Sequence, residues 1–135
     1  MNDLIYLLSI EEYEKYKAAI PVGDRYWWLR SPGRRGCAAV VCCDGSISEE
    51  NVEHRECAVR PVLNYSAIKS EIVESEKPNC FIWNETRWAI VDSIKELAIS
   101  ETHIHLDMFD SLTNEYETSH IREWLLAWCK RSFVR

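Results

Sequence analysis

No uninterrupted apolar run in the 135 residues approaches the ~20 needed to cross a bilayer. The opening stretch, Met1 to Lys17, carries neither a basic leader region nor a small-residue cleavage site. Membrane insertion and secretion are therefore not expected, and the expected location is the cytoplasm. Six cysteines, at 37, 42, 43, 57, 80 and 129, include no C-x-x-C pair, the spacing that most zinc sites use. Cys42 and Cys43 are adjacent and would face opposite sides of a strand, so the even count is not read as a disulfide framework. Most of the six are expected to be reduced thiols packed in the core. No basic stripe interleaved with aromatic residues occurs, which argues against direct nucleic-acid binding. Gly33-Arg34-Arg35-Gly36 lacks the lysine and the following helix of a phosphate-cradling loop. No repeat, low-complexity tract or internal domain boundary is visible.

What is present is a globular composition, 47% hydrophobic and 28% charged, with a formal charge of −6. The acids are concentrated. Residues 61–119 hold eleven acids against four bases, while residues 120–135 hold four bases against one acid. An acidic face of this kind keeps a protein soluble and speeds encounter with a basic partner without defining the fold.

The pattern predicts an α+β fold: one domain over residues 1–135, with two main helices and about seven short, mostly antiparallel strands. Ile5 to Leu8 reads as a strand. Ser9 and Glu12 form a capping box for a helix running to about Ala19, which Pro21 stops. Arg25 to Arg30 reads as an aromatic strand, with Tyr26 and Trp28 on one face and Trp27 and Leu29 on the other. A loop over 31–36 leads to a strand at Cys37 to Cys43 and a hairpin turn at Asp44-Gly45, with a return strand near Ser46 and Ile47. Glu49 to Glu56 reads as loop, and Cys57 to Leu63 as a strand that Pro61 ends or places at an edge. Residues 64–80 form a connector or surface helix. Short strands follow at Phe81 to Trp83, Trp88 to Val91, Ile94 to Ile99 and His103 to Met108. The last segment is a helix capped by Ser119, with Ile121, Trp124, Leu125 and Trp128 on one face.

Tyr26-Trp27-Trp28-Leu29-Arg30-Ser31-Pro32-Gly33, Asp44-Gly45 and Val59-Arg60-Pro61-Val62-Leu63 occur in that order. This series resembles a domain family of unknown function, common in gut-bacterial and phage proteins, whose signature is WWLRSPG, then DG, then VRPAL. Two other family features lie after that signature here, whereas the family carries them before it. They are Trp88-Ala89-Ile90-Val91-Asp92 and the helix Tyr116 to Leu125, with its S-x-I-R-x-W-L pattern. The resemblance thus implies a circular permutation, in which 1–63 is one half, 64–80 joins the old termini, and 81–135 is the other half. Leu126 stands where the family has Asn, so no polar role is carried over to it. At fold level the family is loosely similar to the C-type-lectin-like and formylglycine-generating-enzyme architecture, which implies a scaffold for binding a ligand or protein. A fold does not fix a function.

Six residues are candidates for ligand or partner contact: Trp27, Trp28, Arg30, Arg34, Arg35 and Arg60. Arg30 and Arg60 lie in the two family motifs. Each is read either as a carboxylate clamp, the guanidinium fork binding bidentately, or as a structural ion pair with an acid such as Asp92 or Asp107. The structural pair is the expected outcome. Arg34 and Arg35 are expected on an exposed loop, where any ligand-facing surface would sit beside Trp27 or Trp28. His103, His105 and Asp107 alternate as a metal-binding strand would, but equally as any half-buried strand does, with Ile104, Leu106 and Met108 inward. No metal, cofactor or catalytic residue is therefore assigned.

The leading expectation is a non-enzymatic intracellular module that binds a protein or small ligand, a protein partner being favoured. A homo-oligomer is compatible with it. Two alternatives stay open. One is a mobile-element factor that blocks a host defence machine by protein binding. The other is a small enzyme using a metal or a cysteine, with His54 as base to Cys37, Cys42, Cys43 or Cys57.

Overall fold

The computed structural model describes residues 2–132; Met1 and residues 133–135, which the sequence reading included in its single domain, lie outside the described residues. Among the described residues there are eleven strands and two α-helices, in the order β1 (Ile5–Tyr6), α1 (Ile10–Tyr16), β2 (Trp27–Pro32), β3 (Cys37–Val41), β4 (Ile47–Asn51), β5 (Ala58–Val59), β6 (Val62–Asn64), β7 (Val73–Glu74), β8 (Cys80–Trp83), β9 (Thr86–Asp92), β10 (Leu97–Ser100), β11 (His105–Leu106) and α2 (His120–Arg131). Short 3₁₀ segments lie at Lys17–Ala19 and Tyr116–Thr118, and two 3₁₀ turns that meet at a kink at Ile68 span Tyr65–Glu71. The α+β class is as expected, and seven of the strands are longer than two residues.

The strands form two sheets. One has the order β1-β6-β10-β9-β8-β7, the other β11-β5-β2-β3-β4. Every pairing is antiparallel except β2 with β5, where Trp27 lies beside Ala58. The chain crosses from one sheet to the other at Arg60-Pro61. The expected single strand from Cys57 to Leu63 is therefore two: Val59 closes its ladder in the second sheet, and Val62 opens one in the first. Pro61 has no N–H to continue a ladder, but its carbonyl accepts from Ser100 N–H at 3.0 Å. Arg60 is thus held at the seam between the sheets.

Local chemistry explains the elements. Ser9 Oγ accepts from Glu12 N–H at 3.1 Å, and Glu12 Oε1 accepts from Ser9 N–H at 2.9 Å, so the capping box that starts α1 is complete. Ser119 Oγ accepts from Arg122 N–H at 3.2 Å at the start of α2. Gly45, at φ +88°, lets the β3–β4 hairpin close in a conformation that L-residues rarely adopt. The β8–β9 hairpin closes through Asn84 and Glu85, both at positive φ, as a two-residue hairpin loop requires.

Several local expectations are corrected. The return strand expected near Ser46 and Ile47 runs on through Asn51, so Glu49 to Asn51 are strand and not loop, because this backbone pairs along the whole of β3 at the sheet edge. Ile94 lies in a turn and is 93% exposed, so the third strand of that region starts at Leu97. Residues 65–71 form a 3₁₀ segment that buries Tyr65 and Ile68, and Val73 is exposed. Trp27, Trp28 and Leu29 are all buried, since β2 is flanked by strands on both sides and covered on both faces. Leu106 is exposed instead of inward.

One set of buried side chains draws on both ends of the chain. Ile5, Leu7 and Leu8 belong to the same core as Ile121, Leu125 and Cys129. The Arg122 guanidinium grips the Asp3 carboxylate with two hydrogen bonds, 2.9 and 3.1 Å. Tyr16 donates to Asp92 Oδ2 at 3.0 Å, tying α1 to the end of β9. Trp83, Trp88 and Trp128 pack ring against ring at centroid distances of 6.2 to 6.4 Å, so neither hairpin tryptophan is left exposed.

Candidate functional site

The six candidate residues separate into four places. Arg34 and Arg35 are exposed on the loop after β2, as expected. Arg34 Nε lies 3.5 Å from Glu49 Oε2 on β4, and its N–H also bonds that carboxylate. Asn114 Nδ2 braces the loop through the carbonyls of Gly33, Arg34 and Cys37. Trp28 is wholly buried, its ring edge on Phe109 and its Nε1 donating to Asp107 O at 2.9 Å. It offers no face to a partner.

Arg30 is structural. Its guanidinium pairs with Glu12 and donates to Leu7 O at 2.8 Å, which fastens β2 to the start of α1. The acid is therefore Glu12, not Asp92 or Asp107. Those two carboxylates are taken elsewhere: Asp92 by Tyr16, and Asp107 Oδ2 by His105 Nε2 at 3.1 Å and His120 Nε2 at 2.8 Å.

Arg60 has no acid partner within ion-pair distance among the described residues. It is 2% exposed. Its Nε donates to Ser100 O and its Nη2 to Glu101 O, both at 2.8 Å, and the guanidinium lies over the Trp27 ring at 5.2 Å. Tyr13 from α1 meets that ring edge-on at 5.6 Å. Nη1 is shielded from water and has no hydrogen-bond partner among the described residues. Burial pushes the Arg60 pKa down to about 10, against the opposing pull of Glu101, Tyr13 and Asp24. The group remains charged at neutral pH. A buried charge without a counter-ion is among the most costly arrangements a fold can hold.

Two cavities open onto this guanidinium, of about 190 and 260 Å³. They share Val22, Gly23, Trp27 and Arg60, so the segment after α1 separates them. Gly23 faces the orphan nitrogen: a Cβ built there would sit 3.6 Å from Arg60 Nη1 and 3.6 Å from Trp27 Cδ1. The larger cavity is also lined by Glu101. Glu101 Oε1 accepts from Lys77 Nζ at 2.8 Å, which holds its carboxyl below the ordinary value, whereas Oε2 is buried and unpartnered among the described residues. Sequence reasoning found Arg60 and Trp27 but missed Gly23 and Glu101. Glu101 follows β10 and reaches the site only through the β6–β10 pairing, for which the sequence carries no local signal.

The elements of nucleophilic chemistry are poorly placed. Cys57 Sγ lies 3.7 Å from His54 Nδ1, but burial pushes its thiol up to about 12, so the nucleophilic thiolate is scarce near neutrality. All six cysteines are free thiols; Cys57 and Cys129 are buried in the core, half-buried Cys80 packs against it, Cys37 and Cys42 are half-buried and Cys43 is exposed, so core packing holds for three of the six. His103 lines the larger Arg60 cavity, away from the Asp107 pair. Among the described residues no group of three or more His, Cys, Asp or Glu side chains is placed to hold a metal ion, and no helix is long and apolar enough to cross a membrane.

In comparisons with known proteins, no family model matches the chain, and no match is found among curated proteins or solved structures.

Proposed function

We propose that the protein is a binding module whose recognition site is the cleft over Arg60 and Trp27, and not the Arg34-Arg35 loop. One observation carries this reading: a charged, buried arginine that lines two cavities keeps one guanidinium nitrogen without a hydrogen-bond partner among the described residues. Structural arginines are normally satisfied, as Arg30 is, while arginines reserved for a ligand keep a donor in hand. The two small cavities suit insertion of one group of a ligand or partner rather than enclosure of a drug-sized molecule, for which ~300 Å³ or more is usual. In this reading the chain is a rearranged member of the WWLRSPG family, and its motif arginine at 60 is the ligand-bearing residue.

The test compares capture of partners by the full chain and two variants. Val22→Asp alters the rim of both cavities at a residue 86% exposed, where substitution costs the fold little. Arg34→Ala/Arg35→Ala strips the loop. Loss of the captured partner or co-purifying ligand with the first variant and retention with the second is expected. The reverse pattern would move the site to the loop, and retention by both would end the reading.

A further inference from the structure

The cleft has more than one unsatisfied atom, and the two point to opposite needs. Arg60 Nη1 requires an acceptor and Glu101 Oε2 a donor, and both residues line the larger cavity, with these two atoms buried behind its surface. Resting on the cleft reading above, we infer that the group bound there is a carboxylate flanked by a hydrogen-bond donor. This is the terminus of an α-amino or α-hydroxy acid, free or at the end of a peptide. The carboxylate would meet Arg60 Nη1, and the neighbouring N–H or O–H would face Glu101 Oε2.

Three observations select this chemistry. Arg60 is the one cation of the cleft whose guanidinium is both buried and without a carboxylate, so a monoanion supplies what the fold withholds. Glu101 and Asp24 balance Arg60 and Arg25 in the lining of the larger cavity, so the lining has no surplus of positive charge to hold a dianionic phosphate. The cavity of about 260 Å³ accommodates a few non-hydrogen atoms beyond the carboxylate. Gly23 covers Nη1 with no side chain of its own, and an added Cβ would thicken that cover, in van der Waals contact with the nitrogen at 3.6 Å.

Gly23→Ala is the decisive variant. Its Cβ meets neighbours only at 3.6 Å and beyond, and no unusual backbone angle opposes it, so the fold is kept while the approach to Nη1 is narrowed. Calorimetric titration of the full chain would use L-alanine, lactate, acetate and inorganic phosphate. A short peptide with a free C-terminal carboxylate and the same peptide amidated complete the panel, separating a chain terminus from a free acid. Binding of L-alanine or of the free-carboxylate peptide is expected. The amide and acetate should bind at least about tenfold more weakly, phosphate should not bind, and Gly23→Ala should lose about tenfold in affinity with an unchanged melting temperature. Arg60→Lys, which keeps the charge but not the fork, should lose a similar factor. Failure of every carboxylate to bind, equal binding of acid and amide, binding of phosphate as tight as that of the acids, or unchanged affinity in Gly23→Ala would each overturn the inference. If Val22→Asp still releases its partner while no carboxylate binds, the cleft reading survives and the carboxylate alone is wrong.

Discussion

Two arginines from equivalent-looking motifs end in opposite states. Arg30 is joined to Glu12 and to a backbone carbonyl, whereas Arg60 touches carbonyls and an aromatic face and has a nitrogen left over. The difference comes from what the fold brings alongside each, which residue type alone does not encode. Glu12 has a second task, since it also accepts from Ser9 N–H. Burial raises its pKa, but the hydrogen bonds from Arg30 and Ser9 outweigh burial and hold it below the model-compound value of 4.5. The folded chain thus binds that proton less readily than the unfolded chain. Its contribution to stability is complete above about 4.5 and is lost as pH falls through the folded value. Asp107 and Asp110 are depressed in the same direction, each by hydrogen bonds that overcome burial. Stability should therefore be level from neutral pH to about 4.5 and fall below it. Glu12→Gln should cost about 1–3 kcal/mol at pH 7, and the gap to wild type should shrink at pH 3, as read from urea midpoints at the two pH values. A gap of the same size at both would rule out the charge as its source.

Among the elements, those with a local physical cause were legible. The two capped helices and the Asp44-Gly45 hairpin each rest on contacts between residues close in sequence. Elements that depend on distant partners were not. β4 begins at Ile47, where the hairpin signal places a return strand, but its polar end, Glu49-Glu50-Asn51, reads as loop and is strand because β3 offers an edge to pair with. The split of β5 from β6 is set by Pro61 and by which sheet each neighbour already occupies. The same reasoning divides the candidate site. Arg60 and Trp27 lie in motifs, but Gly23 and Glu101 are recruited by the sheet crossing. The cap of α2 allows a direct check. Ser119 accepts from Arg122 N–H, donates to Tyr116 O at 2.8 Å, and is itself buried, so its hydroxyl joins a 3₁₀ turn to the helix. Ser119→Ala should cost about 1–2 kcal/mol of unfolding free energy, at the upper end of cap substitutions because a buried donor partner is lost as well. An unchanged urea midpoint would show that the turn and the helix are held by packing alone.

At the scale of the whole molecule, the opening strand and the closing helix are parts of one interior, so the order in which the chain visits them is separable from the fold. Ile5, Leu7 and Leu8 pack with Ile121, Leu125 and Cys129, and Asp3 is fixed to Arg122. From Arg122 to the end of α2 at Arg131 the helix rises by roughly 14 Å, at 1.5 Å per residue. A linker of about eight residues, at up to ~3.3 Å each, spans that distance with slack from the end of α2 back to residue 3. Residues 76–79 are exposed and lie between the short β7 and β8, so opening the chain there severs no ladder. A permuted chain, starting near Asn79 and ending near Glu76, places the segment from β8 to α2 ahead of the segment from β1 to β7. It should fold with a single cooperative transition, at a melting temperature within several degrees of the original, because few interactions are put at risk: the Lys77 contact with Glu101, the Lys77 N–H bond to Ser75 Oγ and the Ile90 N–H bond to Asn79 O. Thermal unfolding followed by tryptophan fluorescence and far-UV circular dichroism checks this, as the tryptophans report both sheets and α2. Non-coincident transitions would mean that the two segments fold as separate lobes. A permutant that never acquires a cooperative transition would mean that the connection through residues 64–80 does structural work beyond joining them.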